Sequence, residues 1–580
     1  MRSGQYGRAE SLDRVGAQGP NVRRGWGCAL RPTNFGARSV TIPPPAPDSA
    51  RLQAVLTALG ARDARRAAEV AEPELSRGVE HPLLFTARGI WRAENGRHQE
   101  ALADFRCATR LAPGNPSAWN AEGNCLIALG RHEEAVEALD KAIALRPNAV
   151  EVLARKAWVL EQIPNPAAAR ATNLQVLALD PNNGQALGRL AFAAAQQGGW
   201  DEARTYAARA LRTNPAHPTA RYVVATADIE TGAAERAEQP LLDLLNDKTI
   251  SEADRALLLT ALGDLRDKQG RPDDAFEAYS QANRRLQGLP GRVTTAGGLP
   301  MSEMVRLLTA YFERRTRQPR APAHATECEK HVFLLGFLRS GTTLLEQVLA
   351  SHPAVVTLEE KGPIAGAVQD YMPPPDKLDA LYKATEQEID GHRKRYWQSV
   401  RKHGIDPAGK VFVDKGPIYT VDLPVILRLF PDAKILFAVR DPRDVVLSCF
   451  RTHFELNSTT AEFLTLESTA AFYADVMQLA EIYRKVLPMD LHEVRHEAFV
   501  DDFESEARRL CAFLGLGWDE TMRKFAERAK LGTIATASAA QIARGLNREG
   551  VGRWRPYARH LEPVMPRLQP WVERFGYPPS

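Results

Sequence analysis

A self-similarity with a 34-residue period decides what the first half of this chain can fold into. Gly96, Ala101, Ala108 and Pro113 recur 34 residues on as Gly130, Ala135, Ala142 and Pro147. The next unit keeps Ala169 and Pro181 without the glycine, and the one after restores Gly198, Ala203, Ala210 and Pro215. A weaker copy carries Gly232 and Ala237; after a four-residue slip, Gly270, Ala275 and Ala282 resume the pattern. The residue types suit a pair of helices per unit. Glycine allows the tight turn between them, the alanines allow close approach, and the proline ends the second helix. A single hairpin cannot bury its apolar face alone, so consecutive units must stack.

The fullest copy runs Trp119, Gly123, Leu126, Gly130, Ala135, Leu139, Ala142, Pro147. It resembles the tetratricopeptide repeat. That resemblance implies an α-helical solenoid whose concave groove holds a peptide, a partner protein or a second copy of the chain; a homodimer is compatible with it. Nothing in the repeats reads as catalytic, and pure scaffolding is the plain alternative.

The chain has 580 residues, too many for one hydrophobic core. Its net charge of +4 leaves no electrostatic footprint for nucleic acid. The six cysteines are scattered, with no CxxC pair, so neither a disulfide framework nor a zinc site is expected, and a reducing, cytoplasmic compartment fits. No apolar run approaches the ~20 residues of a membrane span. Residues 1–40 have no apolar central stretch and are not read as a signal peptide; with the stiff segment Thr41-Ile42-Pro43-Pro44-Pro45-Ala46-Pro47, residues 1–47 are expected to be disordered. The repeats are assigned to 48–287. Residues 288–328, rich in glycine and proline around one short helix, are read as a linker, and 329–580 as a second domain.

That domain opens on His331-Val332-Phe333-Leu334-Leu335, an apolar run expected to be a buried strand. Gly336-Phe337-Leu338-Arg339-Ser340-Gly341-Thr342-Thr343 follows, then a helical stretch from Leu344. Strand, glycine loop and helix aim backbone N–H groups and a positive helix end at a phosphate. Gly336 and Gly341 have the spacing of a nucleotide-triphosphatase loop, but Thr342 stands where that loop's lysine belongs, and the cation, Arg339, lies inside the loop. A second strand, Lys434–Val439, ends in Arg440, with Ser448 eight residues on in a helix. A guanidinium and a hydroxyl so placed can converge on one anion.

The first motif resembles the 5′-phosphosulfate loop of sulfotransferases that use 3′-phosphoadenosine 5′-phosphosulfate (PAPS), with Leu338 in place of the usual proline. The second resembles their 3′-phosphate motif. The likeness runs over roughly 330–577 and is nearest to the tyrosylprotein-sulfotransferase-like group. It implies a three-layer α/β domain with a parallel sheet and a phosphate-loop-like site. Arg339, Ser340, Gly341, Thr342, Thr343, Arg440 and Ser448 would hold PAPS. His496 stands where the family has a tyrosine, in Glu493–Val500, and Arg553 lies in a segment resembling the family's closing loop. The implied reaction moves SO₃ in line from PAPS to a hydroxyl acceptor, without a metal. Arg339 and Lys415 would stabilise the leaving oxygen, Ser538 would add a donor, and Glu360, 21 residues after Arg339, would be the base.

His352 is the other candidate base, although a helix-end capping role suits it better. The basic run His392-Arg393-Lys394-Arg395 is read as a solvated helix face. Protein tyrosine, a carbohydrate and a small alcohol all remain open as acceptors. Rival readings are a phosphate-loop kinase or triphosphatase, and a repeat scaffold without catalysis. Since every anion motif lies beyond residue 330, a fragment of about 320–580 is expected to keep nucleotide binding.

Overall fold

The computed structural model of the protein describes residues 48–163, 166–248, 250–289, 299–322, 324, 326–531, 542 and 545–579. The expectation for residues 1–47 and the candidate Ser538 therefore lie outside the described residues. The chain divides into two compact units, one up to Val152 and one from Leu153.

The first unit is built of helical hairpins, such as Pro82–Glu94 with His98–Leu111 and Pro116–Ala128 with His132–Leu145. Gly96 and Gly130, at φ of 74° and 70°, make the turns in a conformation that costs other residues free energy. The repeat alanines Ala101, Ala108, Ala135 and Ala142 are buried between helices. Asn115 caps the helix after it by accepting from the Ser117 N–H.

In the second unit the hairpins continue to residue 287. The four-residue slip has a structural cause: helix Glu252–Lys268 has 17 residues, against 13 in Pro218–Glu230. One extra turn is inserted, and the small-residue pattern resumes beyond it. This helix and Pro272–Gln287 form the terminal hairpin. Inside the segment read as a linker, helix Met301–Glu313 buries Phe312 edge-on against Tyr483, with ring centroids 5.0 Å apart.

A five-stranded parallel sheet follows: β1 (Lys330–Leu335), β2 (Val355–Glu359), β3 (Val411–Lys415), β4 (Lys434–Val439) and β5 (Asp490–Arg495). The order is β2-β3-β1-β4-β5, every pair parallel. Both faces are covered, as parallel sheets require. Val332, Leu334, Val413, Leu436 and Ala438 pack on one side, where Val348 and Leu349 meet them. Phe333, Leu335, Phe412, Ile435 and Phe437 pack on the other, against Trp397, Ile426 and Val476. Such a sheet gathers its ligand groups beyond the carboxyl ends of the strands, where the chain order reverses. Here the segments leaving β1 and β4 meet at that place.

The terminal hairpin is part of this core. Ala275 and Tyr279 share it with Phe450 and Tyr557, and the Phe276 ring stacks on Phe450 at 5.1 Å and on His560 at 4.0 Å. Arg451 donates to Asp264 (3.1 Å) and Asp267 (2.9 Å), and Asp267 also accepts from Arg553 and from the Tyr557 hydroxyl.

Candidate transfer site

The loop between β1 and helix Thr342–Ala350 has a shape only its own residues allow. A Cβ on Gly336 would stand 2.6 Å from the Ala438 carbonyl oxygen, so β4 leaves room for glycine alone. Gly341, at φ 96°, is the helix N-cap and offers no side chain to the first turn. The N–H groups that begin a helix have no partner within it, and here they point into the loop as anion donors. Arg339 itself takes φ 66°, a left-handed conformation that costs a residue with a side chain about 1 kcal/mol or more.

The expected cations meet here. Arg339 Nε donates to Ser448 Oγ at 3.0 Å. Arg440 Nη1 donates to the Arg339 carbonyl at 2.9 Å, and Nη2 to the Gly550 carbonyl. Arg440 Nε is buried without a hydrogen-bond partner. Burial and the neighbouring charge of Arg440 pull the Arg339 guanidinium down to about 10. Two adjacent guanidiniums with an orphaned N–H suit a multiply charged anion. His496 stands against the loop: a Cβ on Gly341 would lie 2.7 Å from its Nδ1. Burial and Arg440 push its imidazole down to about 3, so it is neutral.

A cavity of about 290 Å³ opens over these groups, with Arg339, Thr342, Thr343, Arg440 and His496 on one wall and Glu360 on another. Ser340 is buried in the loop. Glu360 follows directly on β2 at φ 47°; its N–H donates to the Lys415 carbonyl at 2.9 Å. Lys415 ends β3 with its side chain wholly buried, its ammonium 2.7 Å from Glu360 and 3.1 Å from Glu359. The surrounding carboxylates hold its pKa above the ordinary lysine value.

Arg553 is placed at Asp267, where it lines a second, larger cavity together with Arg440 and Ser448. His352 is tied into the turn after the loop helix: Nδ1 accepts from the Ala354 N–H and Nε2 faces the Gly517 carbonyl, each at 3.1 Å. It is not among the described residues lining the smaller cavity. Of the basic run, Arg393 is buried, donating to the Leu429 carbonyl at 2.7 Å and to Asp390, so this stretch is partly internal rather than a solvated face. Sequence reading missed Glu346, at 3.4 Å from the Lys415 ammonium, and the wall of Phe454, Glu455, Asn457 and Thr460. The wall lies just past the Ser448 helix and carries no motif. Glu346 falls one helical turn after Thr342, the only signal it gave.

Comparison with known proteins finds two kinds of relative. Residues 331–520 match the sulfotransferase family model, and residues 52–116, 92–159 and 189–255 match tetratricopeptide-repeat models. An uncharacterized protein of Aquifex aeolicus is 25% identical over 356 residues, 60% of this chain; the chain spans 46% of that relative's length. Protein-tyrosine sulfotransferase 2 of Gallus gallus is 27% identical over 267 residues, 43% of this chain and 69% of its own. Omega-hydroxy-beta-dihydromenaquinone-9 sulfotransferase Stf3 of Mycobacterium tuberculosis is 30% identical over 115 residues, 19% of this chain and 29% of its own. Among solved structures, a tetratricopeptide repeat protein from Parabacteroides merdae covers 41% of this chain and 92% of its own at 18% identity and a TM-score of 0.33. The chain combines tetratricopeptide repeats with a C-terminal domain of the sulfotransferase family.

Proposed function

We propose that the second unit transfers a sulfonate from PAPS to a hydroxyl acceptor. The observation that carries this reading is the pair of guanidiniums, Arg339, which donates to Ser448, and Arg440, which donates to the Arg339 carbonyl, in a phosphate loop whose Walker position is Thr342. PAPS supplies a sulfonate activated by a phosphate leaving group. Arg440 and Ser448 would hold the 3′-phosphate, and the loop N–H groups with Thr342 and Thr343 the 5′-phosphate. Arg339 and Lys415 would meet the charge that grows on the leaving oxygen. Glu360, which accepts from the Lys415 ammonium at 2.7 Å, would accept the acceptor's proton.

The acceptor class is read from the larger cavity, about 1370 Å³, which runs from Glu161 along the inner side of the repeats and shares Arg339, Arg440, Phe454 and Glu455 with the smaller one. Small ligands fill about 300–1,000 Å³. The amides of Gln162, Gln185, Gln196 and Gln197 on its walls can pair with main-chain groups, which favours an extended polypeptide carrying the hydroxyl. The named relatives act on a protein tyrosine and on a hydroxylated menaquinone, so a hydroxyl is the common element.

The test is a thermal-shift comparison of the full chain with adenosine 3′,5′-bisphosphate (PAP), the desulfonated product, and with ATP and Mg²⁺. PAP without Mg²⁺ should raise the melting temperature by mass action. Stabilisation by ATP and Mg²⁺ with none by PAP would overturn the reading in favour of a triphosphate enzyme.

A further inference from the structure

Lys415 is held by three carboxylates, and only two of them were visible as a pair in the sequence. Glu359 and Glu360 sit at the end of β2, beside β3, where Glu359 is the register partner of Lys415. The third, Glu346, is on helix Thr342–Ala350, 2% exposed, its Oε2 3.4 Å from the ammonium. Residues four apart share a helix face, so Glu346 lies directly beneath Thr342 and the phosphate loop. The two groups of carboxylates therefore pull in different directions. Glu359 and Glu360 draw the ammonium toward β2, and Glu346 draws it toward the loop.

We infer that Glu346 is a positioning residue of the transfer site: it adds a third carboxylate on the loop-helix side of the Lys415 ammonium, so that Glu359 and Glu360, which bond it at 3.1 and 2.7 Å, do not hold it alone. The inference rests on the sulfotransferase reading above. A buried carboxylate is retained only where a partner offsets its lost hydration, and Lys415 is the cation at ion-pair distance from Glu346. The Glu346–Lys415 pair, at 3.4 Å, is longer than the 2.7 Å bond from Lys415 to Glu360. Thr357 on β2 also hydrogen-bonds Glu346 and fixes its carboxylate. Without Glu346, all remaining attraction on Lys415 comes from the β2 end, and the ammonium withdraws from the loop.

PAP lacks the transferring group and PAPS carries it, so the ratio of their affinities reports where Lys415 points. Calorimetry on the full chain should give a PAPS preference that Lys415→Ala removes. Glu346→Ala should lower that preference about tenfold, the worth of one buried ion-pair partner of the ammonium, while PAP affinity stays within threefold. Glu346→Gln should restore part of it, because an amide oxygen in the same place still attracts the ammonium through its dipole. If Glu346→Ala does not fold, Glu346→Met keeps the volume without the oxygen and should show the same tenfold loss. An unchanged PAPS-to-PAP ratio in the folded Ala or Met variant, or an equal fall for both ligands, overturns the inference and leaves Glu346 a packing residue. So does a ratio unaffected by Lys415→Ala. Failure of the unmodified chain to bind either nucleotide would instead sink the sulfotransferase reading itself.

Discussion

Arg440 serves two carbonyls and leaves one buried N–H unpaired, and that makes its substitution informative. It donates to the Arg339 and Gly550 carbonyls and keeps Nε for an anion. Arg440→Ala should weaken PAP by about 10- to 150-fold, the worth of a lost charge-assisted contact at ~1.5–3 kcal/mol. Adenosine 5′-phosphosulfate, which has no 3′-phosphate, should lose less than threefold. Equal losses by calorimetry would show that Arg440 shapes the loop and does not meet the 3′-phosphate. At the other end of the domain, His331 sets an acid limit on stability. Its imidazole is buried among Phe333, Trp397, Phe412 and Phe430, with Nε2 2.8 Å from the Tyr396 hydroxyl, which itself donates to Asp414 at 2.7 Å. Burial pushes it down to about 3. A group lowered in the fold stabilises fully above its unfolded pKa of about 6.5 and loses that contribution as pH falls toward 3. At pH 5 the loss is about 2 kcal/mol for this residue. His331→Phe should therefore narrow the difference in urea midpoint between pH 7.5 and pH 5.0. A gap of unchanged size would mean that His331 is not the titrating group.

Helix Pro442–Arg451 shows how one element organises the site. Near its start Arg443 is buried, pairs with Asp441 at 2.8 Å and lies 3.9 Å from the centre of the Trp554 ring. One residue on, Asp444 accepts from the backbone of Gly552 (2.7 Å) and Trp554 (2.8 Å), fastening the C-terminal segment beside the cavity. Ser448, a turn later, meets Arg339, and the last residues, Phe450 and Arg451, grip the terminal hairpin. Asp444→Ala should release the segment around 545–554, lowering PAP affinity about tenfold with a faster off-rate by stopped flow, while the melting temperature without ligand changes little. Unchanged off-rates would remove this segment from the site. Local geometry is what the sequence made readable here. A 34-residue period, a strand running into Gly336–Gly341 and an arginine closing β4 are all set by neighbours in the chain, so their residue types carry the signal. Glu346, Asp267 and the Phe454–Thr460 wall act through partners far away in sequence. Their local surroundings are ordinary helix or loop, and nothing in them marks a role. Arg553 shows the same limit: its motif placed it near the cofactor, and its bond to Asp267 on the terminal hairpin could be seen only once the fold was known.

At the scale of the molecule, the contacts of the terminal hairpin with the transfer domain argue against the expectation that residues 320–580 suffice. Cutting there removes the terminal hairpin and helix Met301–Glu313. Arg451, 15% exposed at its side chain, would lose both carboxylates that neutralise it, and stripping the partner from a buried charge costs about 3–5 kcal/mol. Phe450 would lose its stack with Phe276, and Tyr483 the edge contact of Phe312, at about 1.5–3 kcal/mol for each large side chain re-exposed. Together these losses rival the ~5–15 kcal/mol that holds a whole domain folded. A fragment of 320–580 should therefore be insoluble or molten and fail to bind PAP. A fragment of 148–580 keeps helix Val150–Gln162 whole and every residue of the second unit, and should bind PAP within threefold of the full chain. Asp267→Ala in the full chain is the milder form of the same cut. It takes one acceptor from Arg451, Arg553 and Tyr557 together and should lower the melting temperature by several degrees, with PAP restoring part of the loss by mass action. A soluble 320–580 fragment that binds PAP as tightly as the full chain would show that the terminal repeat merely leans on the transfer domain. Failure of 148–580 alongside an active full chain would instead place part of the fold's support in the residues before it.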